Sequence, residues 1–390
     1  MALRHAERWP SNLLNTLMPI MDLMEDESIT EVMCNAYNMV WAKCSKWRGH
    51  KLMQGYGWKD RSSYASSCQK LSEVVKRRLS EDRPLLNGRL PGGERVNVVF
   101  NPACDDIALT IRKFPAETMT ISKLLEFGSI NQEMATLLRS LVLSKRSTIV
   151  SGGTGSGKTS LLNALSAEIP ANERIITVED SRELQIQQPN WVALETVEAY
   201  KEGALSISIG DLVRNTLRMT PDRIIVGEVR GEEAFYLLRA FSTGHGGGFG
   251  TVHANDAEDG LRQLQFLSQM APIGGLSPAT IGQLVGSAVD IVVHAHFFDD
   301  LDGSRKVTEI LEIEKPGAIV LPNGMVRYQV RQLAKYVIDE IGTDEKGEPK
   351  IFGRWEYHNR PSQKLTRLAA FKGLPLPEAL LQAPDLEEIA

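Results

Sequence analysis

The chain has no apolar run near the ~20 residues that a membrane-spanning helix needs, and its opening "MALRHAERWPSNLLNTL" lacks the apolar core of a signal peptide. A soluble protein is therefore expected. Cysteine is scarce: Cys34, Cys44, Cys68 and Cys104 all lie in the first third, and none forms a CxxC pair. That argues for reduced thiols in a cytosolic protein and against a disulfide framework. There is no excess of positive charge, with 44 Lys and Arg against 49 Asp and Glu and a net charge of −5. A dedicated nucleic-acid binder usually carries a basic domain or stripe, so this balance speaks against one. Internal repeats and low-complexity tracts are also missing. What remains is an ordinary globular composition, 42% hydrophobic and 24% charged, on 390 residues. It is ample for a buried core and suggests two or three domains.

The patterning changes near residue 120. Before it, "SSCQKLSEVVKRRLSED" (66–82) places Leu71, Val74, Val75 and Leu79 on one helical face. A turn-rich stretch then leads into a strand. "DDIALTIRKFP" alternates, with Ile107, Leu109 and Ile111 facing one way and Thr110 and Arg112 the other, until Pro115 breaks it. After residue 120, short apolar runs ("STIVSGG", "RIITVED", "RIIVGEV", "FGTVHA") alternate with amphipathic helical patterns. That alternation predicts an α/β domain with a largely parallel sheet. The expected organisation is a small N-terminal α+β domain (1–113), a linker (114–120), a P-loop domain (121–330) and a C-terminal appendage without an assigned fold (331–390).

"GGTGSGKT", from Gly152 to Thr159, fits G-x-x-x-x-G-K-[ST] between an apolar strand and a helix carrying Leu161, Leu162 and Leu165. Gly152, Gly153, Thr154, Gly155, Ser156, Gly157, Lys158, Thr159 and Ser160 are expected to cradle the phosphates of ATP. Backbone N–H groups and the positive end of the helix dipole supply the attraction. Lys158 should reach the β- and γ-phosphates, and the Thr159 hydroxyl should bind Mg²⁺. Hydrolysis further requires acids beyond the strand ends. Glu179, Asp180 and Glu183 follow one strand and Glu228 follows another; Asp180 alone is also compatible with a helix N-cap.

"STGHGGGFGTVHAND" packs five glycines into residues 244–252 and places His245 and His253 eight residues apart. Two histidines with no cysteine nearby make a poor metal site. A sensor beside the γ-phosphate suits His253, with His245 in support and the glycines passing close to the nucleotide. His294 and His296 share a strand face, and as two ligands they are too few for a closed zinc site. Asp302-Gly303 signals a hairpin turn. Trp41, Trp47 and Trp58 read as packing, and the basic "VKRRL" as a solvated helix face.

In order and spacing, "SGGTGSGKTS", "ITVEDSREL", "MTPDRIIVGEVRG" and "STGHGGGFGTVHAND" resemble the Walker A, Asp, Walker B and His boxes of the type II/type IV secretion and pilus ATPases. The likeness is greatest to the conjugative-transfer (TrbB-like) and tight-adherence pilus (CpaF-like) branches and covers about residues 80–315. It implies a hexameric ring of two-domain subunits, an N-terminal domain followed by a RecA-like ATPase domain. It implies Glu183 near Mg²⁺, Glu228 polarising the attacking water, and His253 on the γ-phosphate side. Arg112 matches an arginine that reaches the nucleotide; Arg89 and Arg95 are charge-stabilising candidates by analogy. Arg230 and Arg239 are motif arginines without an assigned role. The Walker B strand ends in Gly-Glu, not Asp-Glu, so the metal contact there must come through water or from Glu183. Implied partners are inner-membrane components of a secretion or pilus machine, with the protein at the cytoplasmic face of that membrane and no direct nucleic-acid binding. A pilus assembly or retraction ATPase is the alternative. A helicase-type motor and a nucleotide-gated adaptor without turnover are less favoured.

Overall fold

Strand and helix patterns resolve into two separate sheets in the computed structural model, which describes residues 9–44, 47, 49–113, 118–197, 205–345 and 347–385. Residues 114–117 of the expected linker lie outside them. Two compact units result: one holds the residues before Thr118 together with Leu205, the other Thr118–Val197 and the residues from Ser206 onward.

The first unit contains β1 (Ile29–Ala36), β2 (Met39–Cys44), β3 (His50–Leu52), β4 (Leu85–Arg89), β5 (Arg95–Val99) and β6 (Ala108–Arg112). They form one antiparallel sheet in the order β3-β2-β1-β6-β5-β4. The alternation read in β6 holds: Leu109 and Ile111 are buried and Arg112 is exposed. The helix expected over 66–82 runs instead from Arg61 to Val74. Asp60 and Ser63 form a capping box that starts it early, and Lys76 at φ +54° turns the chain away just past its end. Trp58 is buried in this unit and donates to Ser67 Oγ at 2.8 Å, so it serves packing as expected. The four cysteines are free thiols.

The second unit contains β7 (Thr148–Gly152), β8 (Ile175–Glu179), β9 (Trp191–Glu195), β10 (Arg223–Val229), β11 (Phe249–His253), β12 (Ile291–Phe297), β13 (Arg305–Val320), β14 (Val326–Thr343) and β15 (Pro349–Tyr357). The sheet order is β15-β14-β13-β12-β7-β11-β10-β8-β9. Strands β12 to β9 of that order are parallel, and β13 to β15 extend the sheet antiparallel. The central strands are apolar on both faces because both are covered. Val150, Ile225 and Val293 face the helices Gln132–Leu143 and Lys158–Ala167. Their neighbours Ile149, Ile224 and Val292 face the helices Glu233–Ser242, Ala257–Ser268 and Pro278–Ala288.

Residues 331–390, expected as an appendage, are not one. As far as Asp385 they complete this sheet as most of β14 and β15, then return over it. Leu333, Ala334, Leu365 and Leu380 join the same core cluster as Val150, and Trp355 Nε1 donates to Val307 O at 2.7 Å. An antiparallel edge keeps one face in water, so its polar, alternating sequence hid its membership.

At the N-terminal ends of the parallel strands one cation ties four segments together. Arg223 is fully buried. Its guanidinium donates to Glu173 Oε2 (2.5 Å), Gly247 O (2.7 Å) and Val142 O (2.9 Å). The glycine run therefore lies here, before β11. A methyl group on Gly248 would stand 2.3 Å from Ile224 O. Gly247 and Gly248 pack closely at the sheet floor, while Gly244, at φ +93°, has open space beside it; this placement before β11 corrects the expectation that the run passes the nucleotide. We expect Arg223→Ala to destabilise the second unit by about 3 kcal/mol, because it leaves the buried carbonyls of Val142 and Gly247 without this donor and Glu173 with only Lys145, 3.4 Å away, as its charge partner. A chemical-denaturation midpoint equal to wild type would refute this.

Candidate functional site

The parallel register brings the predicted motif residues to one edge. His253 ends β11 directly beside Gly152, which ends β7, and Ala295 of β12 flanks Gly152 on the other side. Next along is β10, carrying Glu228, and then β8, ending in Glu179. Strand ends supply this edge because only there does the backbone leave the sheet and free its side chains.

Residues 153–157 turn into the helix Lys158–Ala167, whose N-cap is Gly157 at φ +93°. That left-handed conformation suits glycine. No side chain caps the helix, so its first N–H groups are left without a side-chain partner. Gly153, Thr154 and Gly155 are exposed at the loop apex, and Thr159 and Ser160 follow in the first helical turn. Lys158 is 8% exposed. Its ammonium donates to Gly152 O (2.9 Å) and Gly153 O (2.7 Å) and lies 3.4 Å from His253 Nδ1. Burial pulls the Lys158 ammonium below its usual range, against the opposing pull of Glu228.

His253 also touches Glu228, with Nε2 2.7 Å from Oε1. The contact is out of line for a hydrogen bond, since Oε1 is buried with no such partner. Glu228 Oε2 accepts from the Arg230 guanidinium. Burial raises the Glu228 carboxyl, but the hydrogen bond and charge of Arg230, with His253 and Lys158 behind it, bring it below the usual range. Glu228 is thus a half-buried anion in a line running Lys158, His253, Glu228, Arg230. A register shift between Val226 and Val229 on β10 marks a bulge at Gly227-Glu228.

The Gly-Glu ending of β10 has a steric cause: a methyl on Gly227 would come 2.8 Å from Glu179 Cγ. Glu179, 3% exposed, fills the space where an aspartate side chain on β10 would stand. Its Oε1 accepts from Glu183 N (2.7 Å) and Leu184 N (2.9 Å), which fixes the turn presenting Glu183. Glu183 Oε2 in turn lies 3.4 Å from Thr159 Oγ1. The two residues expected at a metal are therefore neighbours; the sequence named Glu179 among the strand-end acids but not as the buried carboxylate that positions Glu183. A "VED" strand end three residues before a second acid was its visible signal. Asp180 caps no helix; it accepts from Thr196 Oγ1 at 2.9 Å and stands 4.0 Å from Arg230.

Other expected residues lie elsewhere. His245 belongs to the sheet floor, a strand length of ~17 Å from His253 at about 3.3 Å per residue, so it does not support the site. His294 is buried and bonds Ser151 Oγ through Nδ1 at 2.9 Å. Burial, with His296 beside it, pushes it down to about 4. It is a neutral packing partner of the P-loop strand. Arg239 is exposed on its helix. In the first unit, cross-strand register sets Arg89 opposite Arg95, and Arg95 opposite Arg112. The three arginines thus share one row on one face of the sheet, with Glu31 beyond Arg112.

Residues 59–349 match the family described as Type II/IV secretion system protein. The chain belongs to that family. It is 31% identical over 341 residues to the type IV secretion system protein VirB11 of Bartonella quintana, covering 76% of this chain and 92% of that one. It is 36% identical over 285 residues to the type IV secretion system protein PtlH of Bordetella pertussis, covering 65% and 84%. The conjugal transfer protein TrbB of Rhizobium radiobacter is 34% identical over 248 residues, covering 63% and 72%. The resemblance read from the four boxes is thereby borne out, and so is the fold class. The Legionella pneumophila ATPase DotB (TM-score 0.55, 17% identity, 78% of this chain and 81% of that one) shares the fold. So does the pilus retraction motor PilT with bound ADP (0.53, 18%, 96% and 90%). No helix among the described residues is long and apolar enough to cross a membrane.

The Glu179 carboxyl is raised by burial, against its two backbone hydrogen bonds, to about 7 from an ordinary 4.5. Between those pH values the folded chain binds a proton that the unfolded chain lacks. Its contribution to stability is full below 4.5 and is lost as pH rises through 7. We expect Glu179→Gln to flatten the pH dependence of the unfolding midpoint between pH 5 and 8. An unchanged slope would contradict the assignment.

Proposed function

We propose that this secretion-family chain hydrolyses ATP and that the cycle drives a type IV secretion or conjugation machine. The observation that carries the reading is the unbroken line Lys158, His253, Glu228 beside a P-loop at the open edge of a parallel sheet. Family membership supports the same reading.

The residues suit a nucleotide with Mg²⁺. Among the described residues no cluster of three or more His, Cys, Asp or Glu could hold a metal by itself. Mg²⁺ at a phosphate site needs only one or two protein ligands, and Thr159 with Glu183 offers them. When bound, Mg²⁺ neutralises charge on the β- and γ-phosphate oxygens. Lys158 exchanges the carbonyls of Gly152 and Gly153 for phosphate oxygens, which regain the charge partner that burial denies it. Glu228, held ionised, orients water for in-line attack and takes its proton. His253 reads the γ-phosphate side, because it touches both Lys158 and Glu228 and moves when either does. Arg230 must loosen its hold on Glu228 for the carboxylate to reach water. Arg112 is assigned to charge stabilisation by its match to the family arginine, with Arg89 and Arg95, in the same row, as further candidates.

Motion on product release passes through a homo-hexameric ring to inner-membrane partners, with the protein peripheral at the cytoplasmic face. Pilus assembly or retraction is the second reading, favoured by the fold shared with a pilus retraction motor.

Glu228→Gln should lower kcat by at least about 100-fold while ADP binding persists; turnover within about twofold of wild type would overturn the assignment. His253→Ala should slow hydrolysis with binding kept, and Lys158→Ala should abolish ATP binding in a titration. Sedimentation with nucleotide should give a hexamer, and a monomer throughout would remove the ring. Strong stimulation by single-stranded DNA would replace the secretion reading with a nucleic-acid motor.

A further inference from the structure

The outer side of the P-loop is gripped by the hairpin that joins β12 to β13. Phe297, the last residue of β12, pairs across the ladder with Arg305, the first of β13. The Arg305 guanidinium lies over the Phe297 ring, 4.1 Å from its centroid, and its Nε donates to Gly155 O at 2.7 Å. The ring edge borders Gly155 and the Arg305 stem borders Gly157, at 3.5 and 3.4 Å from where their β-carbons would be.

A peptide unit is planar, with its C=O and N–H pointing in opposite directions. Holding Gly155 O outward therefore aims the Ser156 N–H inward. That N–H points across the loop to Gly153 O, at 3.4 Å, the side on which a phosphate is cradled. The grip is mounted on fixed structure. Asp302 accepts from Ser304 N (2.9 Å) and, through its other oxygen, from Ile351 N of β15 (3.1 Å). Lys306 donates to Gly128 O at 2.7 Å.

We propose that Arg305, seated on Phe297, is a positioning residue for nucleotide binding: it sets the direction of the Ser156 N–H and so pre-shapes the phosphate cradle. This rests on the nucleotide reading above. A pre-shaped loop binds without an ordering cost, so the effect falls on affinity rather than on the chemical step.

The test uses the full chain, with ADP titration and ATPase kinetics. Arg305→Ala should weaken ADP about tenfold and raise KM by a similar factor, with kcat within about twofold. Arg305→Lys, which keeps a donor and a charge, should fall between wild type and Arg305→Ala. If Arg305→Ala folds poorly, Phe297→Leu removes the ring and leaves the donor, and about threefold weaker ADP is expected. Unchanged ADP affinity in the folded variants overturns the proposal. A fall in kcat at constant KM does so too, since it would mark a residue acting in the chemical step. Wild-type chain that binds no ADP would overturn the nucleotide reading and this one with it; wild-type binding matched by Arg305→Ala overturns this one alone.

Discussion

The site depends on the parallel register of four adjacent strands. Because β7, β11, β10 and β8 run the same way and end together, Gly152, His253, Glu228 and Glu179 reach one edge from four distant parts of the chain. A one-residue slip of β11 would turn the histidine side chain to the other face. Two features hold the register: apolar side chains packed on both faces, and the buried Arg223 that binds the floor of the sheet.

At the edge itself, Lys158 and Glu228 are charged groups with poor pairing for their burial. Lys158 is buried and leans on loop carbonyls, a weaker partner than an anion. Glu228 is shared between Arg230 and His253, with one oxygen lacking an aligned donor. The outer contact of Arg305 with Gly155 O and the inner turn held by Glu179 brace the backbone around them.

Much of this was legible beforehand. Strong local signals carried it: the Gly-x-x-x-x-Gly-Lys-Thr turn between an apolar strand and a helix, the acids after two strands, and the alternation that exposed Arg112. The misreadings share one cause. The glycines of 244–250 were assigned to the nucleotide because they neighbour His253 in sequence, yet a strand separates neighbours at its two ends. The C-terminal strands looked like an appendage because an edge with one wet face is polar on alternate residues. Glu179 looked like one of several acids because burial leaves no mark in a sequence.

The sequence by itself determined the family, the two-part organisation and the identity of the P-loop, since these rest on residue types at fixed short spacings that the backbone must translate locally. Only the tertiary structure decided which acid is buried and which exposed, that the three arginines stand in one row, that His245 and His253 part company, and that Arg305 reaches the P-loop from 150 residues away. Those follow from strand order and packing, which depend on the whole sheet and not on any one segment.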